Sequence, residues 1–235
     1  MTVVLFMRII SLVFLLFASQ NSLATLEGIN LGSTRVIFDS KNNSASIKVN
    51  NLSSHNTWLL RSWISEYNDT QKSKNFVLTP PLYRLSPGES IQLRIENIDP
   101  NLPKDKESVF RINVLAIPPE SADEENNNGG KIQFAVNNRI KLFYRPHNII
   151  TNQTSTMSNN LIIHSDNKRI TIKNVSPFHI TMADVKVNGI KSNALDDFMV
   201  TPFSTLEIPA KNARQLSYTI INDLGGKERI NNITF

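Results

Sequence analysis

The sequence predicts an all-β protein, two antiparallel β-sandwiches in tandem behind an export signal, and three observations predict it. Short apolar runs alternate with polar residues at period two through both halves of the chain, and no long helical period interrupts them. Turn signals such as Asp39 to Ser44, Ser86-Pro87-Gly88-Glu89 and Asn126 to Gly130 separate the runs at the spacing of an antiparallel sandwich. Arg145-Pro146-His147 then breaks the pattern, because proline cannot continue a hydrogen-bonded ladder. The boundaries expected are a signal peptide over 1–24, a first domain over 25–145 and a second over 146–235.

In chain order, Arg8 precedes an apolar run from Ile9 to Ala18 broken only by Ser11, followed by Gln20-Asn21-Ser22-Leu23-Ala24. That is the layout of a secretory signal with cleavage before Thr25, and the run is short for a membrane span. Met7-Arg8 makes a more usual start than Met1. Removing residues 1–24 takes away Arg8 and no acid, so the 25 Lys+Arg become 24 against 20 Asp+Glu, a net charge near +4. Such a balance reads as a solvated surface of mixed charge and implies no nucleic-acid partner, and no later stretch is long enough for membrane insertion. Cysteine is absent, so an exported chain must be held by burial in full-sized domains rather than by disulfides. The several Asn-x-Ser/Thr triplets, among them Asn42 to Ser44 and Asn68 to Thr70, are what chance supplies in an Asn-rich chain.

The runs of the first domain are Arg35 to Phe38, Ala45 to Val49, Trp58 to Tyr67, Ser90 to Ile95, Val109 to Ala116 and Ile132 to Tyr144. In the fifth, Val109, Arg111, Asn113 and Leu115 alternate with Phe110, Ile112, Val114 and Ala116 before the chain stops at Pro118-Pro119. In the last, Ile132, Phe134 and Val136 share one face. Lys141 has the opposite parity, so a flat strand points it away from them, and a twist or bulge near Asn137-Asn138 could re-aim it. The weaker runs of the second domain are Leu161 to His164, Ile170 to Asn174, Ile180 to Val187, Thr205 to Ile208, Gln215 to Ile221 and Arg229 to Phe235.

Catalytic chemistry finds no foothold. His55, His147, His164 and His179 are scattered without ligand spacing and read as surface or loop residues, and neither a Gly-rich phosphate loop nor a nucleophile elbow is present. The chain therefore reads as a non-enzyme without a metal or cofactor.

Four strings carry a family resemblance: Ser33-Thr34-Arg35-Val36-Ile37-Phe38; Thr79-Pro80-Pro81-Leu82-Tyr83-Arg84-Leu85-Ser86-Pro87-Gly88; Leu102 through Pro119; and Arg139-Ile140-Lys141-Leu142-Phe143-Tyr144-Arg145-Pro146. Together they resemble the periplasmic pilus-assembly chaperones of the chaperone-usher pathway. The resemblance implies two immunoglobulin-like domains set as a boomerang, with Arg35 and Lys141 in the cleft gripping the terminal carboxylate of a pilus or fimbrial subunit. It makes Ile132, Phe134 and Val136 the face of a donor strand lent to a subunit that lacks one of its own. It also implies an interdomain charge network of Glu107, Arg145 and Asp223, although Asp223 before Gly225-Gly226 suits a turn as well. The partners implied are subunits and an outer-membrane usher, the compartment is the periplasm, and no ATP is involved. An exposed apolar edge in the free protein would be protected by loop mobility or self-association.

The departure lies in the acidic, Asn-rich loop Glu120 to Gly130, slightly longer than the simplest short-loop members yet without the cysteine pair of the long-loop class. The other reading is an exported sandwich that binds carbohydrate or forms part of a surface fibre, as an adhesin or subunit. A pilin should carry an N-terminal donor extension and usually a Cys pair, and neither is present.

Overall fold

The computed structural model describes residues 28–119, 134–150 and 157–235. The signal segment, the loop 120–130 and Ile132 lie outside the described residues. Two cores are present. One draws on residues between Ile29 and Tyr144 and the other on residues between Leu161 and Ile233.

The first sandwich sets a four-stranded sheet against a five-stranded one. β1 (Ile29–Leu31), β3 (Ala45–Asn51), β7 (Ser90–Asn97) and β5 (Phe76–Thr79) form the first sheet in the order β1-β3-β7-β5. β2 (Arg35–Asp39), β9 (Val136–Arg145), β8 (Ser108–Ile117), β4 (Trp58–Glu66) and β6 (Leu82–Leu85) form the second in the order β2-β9-β8-β4-β6. Period-two patterning explains which side chains go inside. Ile47 and Val49 of β3, Leu60 and Ile64 of β4, and Phe110, Ile112 and Val114 of β8 are buried between the sheets. Phe38, Phe76 and Phe110 lock the centre, with ring centroids 5.8 Å and 4.8 Å apart in edge-on pairs. β2 and β9 pair in parallel, whereas the rest of this domain's ladders are antiparallel.

The second sandwich pairs β10 (Leu161–Ser165), β11 (Arg169–Asn174) and β15 (Thr205–Pro209) in one sheet. β13 (Ile190–Lys191), β12 (Ile180–Val187), β16 (Gln215–Ile220) and β17 (Asn231–Thr234) form the other, and β14 (Met199–Val200) also pairs with β12.

Both domains fasten one corner with the same device. The buried Asn51 amide donates to the carbonyls of Asn56, Leu85 and Ser86, and its oxygen accepts the N–H of Ser53. In the second domain the Asn174 amide donates to Phe178, Val200 and Thr201, and its oxygen accepts the N–H of Ser176. Each side chain satisfies carbonyls that strand ends would leave unpaired.

Several expectations need correction. Strands β1, β5, β6, β13 and β14 are additional to the runs expected, and β5 and β6 flank Pro80-Pro81. A short helix α1 (His147–Ile150) follows Pro146, whose fixed φ suits a helix start, and a 3₁₀ turn spans Met157–Asn160. Among the described residues the last strand of the first domain begins at Val136, so Phe134 precedes it instead of lying within it.

Candidate functional site

β9 organises the site because its two edges and two faces have different partners. Toward its C-terminal end it is paired on both sides, to β8 and, from Lys141 to Arg145, to β2 from Arg35 to Asp39. From Val136 to Ile140 only β8 pairs with it among the described residues. One row of backbone N–H and C=O groups there faces outward, a template for another strand. Phe134 is 76% exposed and Val136 53% exposed beside that row. Beneath Val136 and Asn138 lies a cavity of about 280 Å³ lined also by Ile29, Trp58 and Ala116.

The β8–β9 register runs unbroken from Ala116↔Val136 to Ser108↔Tyr144. No bulge at Asn137-Asn138 re-aims Lys141. Even-numbered Ile140, Leu142 and Tyr144 pack on the first core, while odd-numbered Phe143 and Arg145 meet His179 and Phe178 of the second domain. Phe134 and Val136 thus share parity with the core-facing row, and Lys141 shares parity with the row that faces the second domain. The cleft is on the opposite face from the apolar row.

Three cations stand level across the sheet, since Arg35 of β2 pairs with Lys141, and Lys141 pairs with Arg111 of β8. Arg35 Nη1 donates to the Ile221 carbonyl at 3.2 Å, while its buried Nε has no hydrogen-bond partner among the described residues. Burial lowers the Arg35 pKa, opposed by the charges of Asp223, Glu107 and Asp197. Lys141 Nζ lies 3.0 Å and 3.1 Å from the two carboxylate oxygens of Asp197. Its pKa is also lowered, by burial first, with Asp197 working the other way and the Arg35 and Arg111 charges adding to the fall. The Tyr67 hydroxyl donates to Asp197 Oδ2, and burial together with that carboxylate raises the Tyr67 pKa. Arg111 holds Tyr67 in turn, with Nε donating to its carbonyl at 2.9 Å and the guanidinium 4.2 Å from the ring centroid.

The structure brings Glu107, Arg145 and Asp223 together. Arg145 Nε donates to Glu107 Oε1 at 2.8 Å, and Nη1 and Nη2 grip the two Asp223 oxygens at 2.6 Å and 2.9 Å. Burial opposes the Arg145 charge, but the hydrogen bond to Asp223 and the Glu107 carboxylate outweigh it, and its pKa is raised. Glu107 Oε2 accepts the backbone N–H of His179 at 2.8 Å and lies 2.9 Å from its Nδ1. His179 is therefore a buried interface residue, correcting its reading as a surface or loop histidine. Asp223 also belongs to a turn, in which Gly225 donates to the Asn222 carbonyl.

His179, Asp197, Tyr67 and Arg111 are the site residues that sequence reasoning missed. For Arg111 a signal existed, since it alternates against the core-facing Phe110 and Ile112. For Asp197 none did.

Two sandwiches meet at a charged cleft, and one strand edge is left open among the described residues. Residues 28–150 match the family described as pili and flagellar-assembly chaperone, PapD N-terminal domain, and residues 156–232 match the pili assembly chaperone PapD, C-terminal domain. The chain belongs to this family of pili assembly chaperones. It is 38% identical over 222 residues to the chaperone protein LpfB of Salmonella typhimurium, covering 93% of this chain and 94% of that one. It is 34% identical over 204 residues to the probable fimbrial chaperone YehC of Escherichia coli, covering 84% and 83%. Among solved structures, a chain of the Salmonella enterica SafA pilin–SafB chaperone complex superposes with a TM-score of 0.75 at 25% identity, covering 89% of this chain and 97% of that one. The E. coli chaperone DraB superposes with a TM-score of 0.73 at 26% identity, covering 88% and 96%. Among the described residues no helix is long and apolar enough to cross a membrane.

Proposed function

We propose that the protein is a periplasmic chaperone that binds, folds and caps pilus or fimbrial subunits by donor-strand complementation and delivers them to an outer-membrane usher. The observation that carries this reading is the unpaired edge of β9 from Val136 to Ile140 with Phe134 and Val136 exposed beside it. A subunit lacking a strand would gain backbone hydrogen bonds from that edge and alternate apolar side chains for its open groove. Ile132 continues the same row in sequence. A relative named as a probable fimbrial chaperone, and a similar solved structure in which a chaperone is complexed with a pilin, support the reading over a carbohydrate-binding or fibre-forming sandwich.

In this reading Arg35 and Lys141 hold the subunit's terminal carboxylate and set the register of the donated strand, by charge-assisted hydrogen bonds of about 1.5–3 kcal/mol each. Glu107, Arg145 and Asp223 fix how the domains meet, and the domains divide between Arg145 and Pro146. Residues 1–24 direct export and are then removed. The reading requires neither a catalytic group nor a cofactor.

Phe134→Glu tests it, through thermal melting of the purified variant alongside capture of co-expressed subunits. The expected result is a preserved melt with capture lost, because a charge is forced into an apolar groove only in the complex. A collapsed melt would place this face in the domain's own core and remove the donor-strand reading.

A further inference from the structure

Asp197 belongs to the second domain, just before β14, yet both of its oxygens lie at the Lys141 ammonium of the first. The Tyr67 hydroxyl, also from the first domain, donates to the same carboxylate, and Arg111 braces Tyr67 through its carbonyl and ring. The Lys141 side chain is 14% exposed and that of Asp197 34%. Arg35 differs. One of its nitrogens serves the Ile221 carbonyl, and its buried Nε is unpartnered among the described residues. A carboxylate arriving in this cleft finds a guanidinium that no carboxylate holds among the described residues and an ammonium already taken.

We infer that Asp197 is a stand-in for the subunit's terminal carboxylate, holding Lys141 in the free protein and yielding it when the subunit docks. This rests on the proposed role of Arg35 and Lys141. A mostly buried ammonium without a counter-charge is costly, and a carboxylate from the same chain removes that cost before any subunit arrives. Docking then exchanges one carboxylate for another, so Lys141 is paired in both the free and the bound protein. A neutral chain end brings no charge to the exchange and does not displace Asp197, which makes the exchange a filter for free carboxyl termini. The stand-in also lowers affinity, since only the fraction of molecules with Lys141 released is competent to bind.

The probes are N-acetyl-phenylalanine and its amide, the shortest apolar chain ends with and without a carboxylate, titrated against full-length protein by NMR of the lysine ammonium and arginine Nε signals. Asp197→Asn should tighten binding of the acid about tenfold, equivalent to about 1.4 kcal/mol, and leave the amide unchanged. Tyr67→Phe, which removes only the hydroxyl that holds the carboxylate, should shift affinity the same way by a smaller factor and serves if Asp197→Asn misfolds. Unchanged or weaker binding of the acid in these variants, or no saturable binding in any protein, overturns the inference. Adding Arg35→Ala or Lys141→Ala to Asp197→Asn separates two failures. If both added changes leave acid binding intact, the cleft is not the carboxylate site and the stand-in falls with it. If both abolish binding while Asp197→Asn alone gains nothing, the stand-in falls and the cleft reading stands.

Discussion

Arg145→Ala should destabilise the protein through Glu107 far more than through Asp223. The Arg145 and Glu107 side chains are 6% and 1% exposed, whereas Asp223 is 40% exposed. Removing one partner of a buried pair costs about 3–5 kcal/mol, and an exposed pair contributes about 0–1. Glu107 Oε2 keeps the His179 N–H after the change, while Oε1 loses its ion-pair partner, so the low end applies. We expect a loss of about 3 kcal/mol for Arg145→Ala and about 1 kcal/mol for Asp223→Ala. For a domain of this size the larger loss lowers Tm by roughly 10 °C. Calorimetry of the single and double variants gives the coupling energies: about 3 kcal/mol between Arg145 and Glu107, and about 1 kcal/mol between Arg145 and Asp223. Steady-state periplasmic levels should follow the melts. An unchanged melt for Arg145→Ala, or zero coupling between Arg145 and Asp223, would refute the network as a device that ties the domains together.

Arg35→Ala and Lys141→Ala should each leave the protein folded and exported while subunit co-purification falls about 10- to 100-fold, the loss of one charge-assisted anchor; undiminished co-purification removes the carboxylate assignment. Lys141 has its pKa lowered by burial, so in the pH range below the ordinary lysine value of 10.5 the unfolded chain binds more protons than the folded one. Wild-type stability measured against Lys141→Met should accordingly rise as pH climbs from neutral toward 10.5, and a flat difference counts against burial as the cause. Gly225 has a φ of +84°, and a Cβ there would lie 2.1 Å from Thr34 Oγ1. Gly225→Ala should cost about 1 kcal/mol or more and weaken the turn that presents Asp223, read by urea titration; a neutral result would mean the turn relaxes freely.

Legibility followed the length of the alternating pattern. β3, β8 and β12 span 7, 10 and 8 residues, enough for period two to stand out. β1 has three residues, and β13 and β14 have two each, too few to show any period. β5 and β6 have four residues each on either side of Pro80-Pro81, too short and too close to proline to read as strands. The Asn-x-Ser triplets dismissed as chance include Asn51-Leu52-Ser53 and Asn174-Val175-Ser176, the two corner clasps. Arg35, Lys141, Glu107, Arg145 and Asp223 were legible through strings that resemble a family, because nothing local predicts contacts across scores of residues. Lys141 and the apolar row had the right parities for opposite faces, and the bulge considered to reconcile them was unnecessary. Asp197 and His179 gave no sign, since an acid beside Asp196, or a histidine between Phe178 and Ile180, acquires its role only from the opposing domain.

The two asparagine clasps have a consequence for how the molecule yields to solvent. Each domain closes its own corner internally, around its own apolar core. The described hydrogen bonds and ion pairs that cross between domains include Arg145–Asp223, Glu107–His179, Lys141–Asp197 and Arg35–Ile221. Salt screens exposed charges and reaches buried pairs far less, so Arg145–Asp223, with Asp223 40% exposed, is the link most open to it, whereas urea weakens apolar burial. Concentrated salt should therefore loosen the exposed Asp223 clamp and leave the buried Glu107–His179 link and both sandwiches whole.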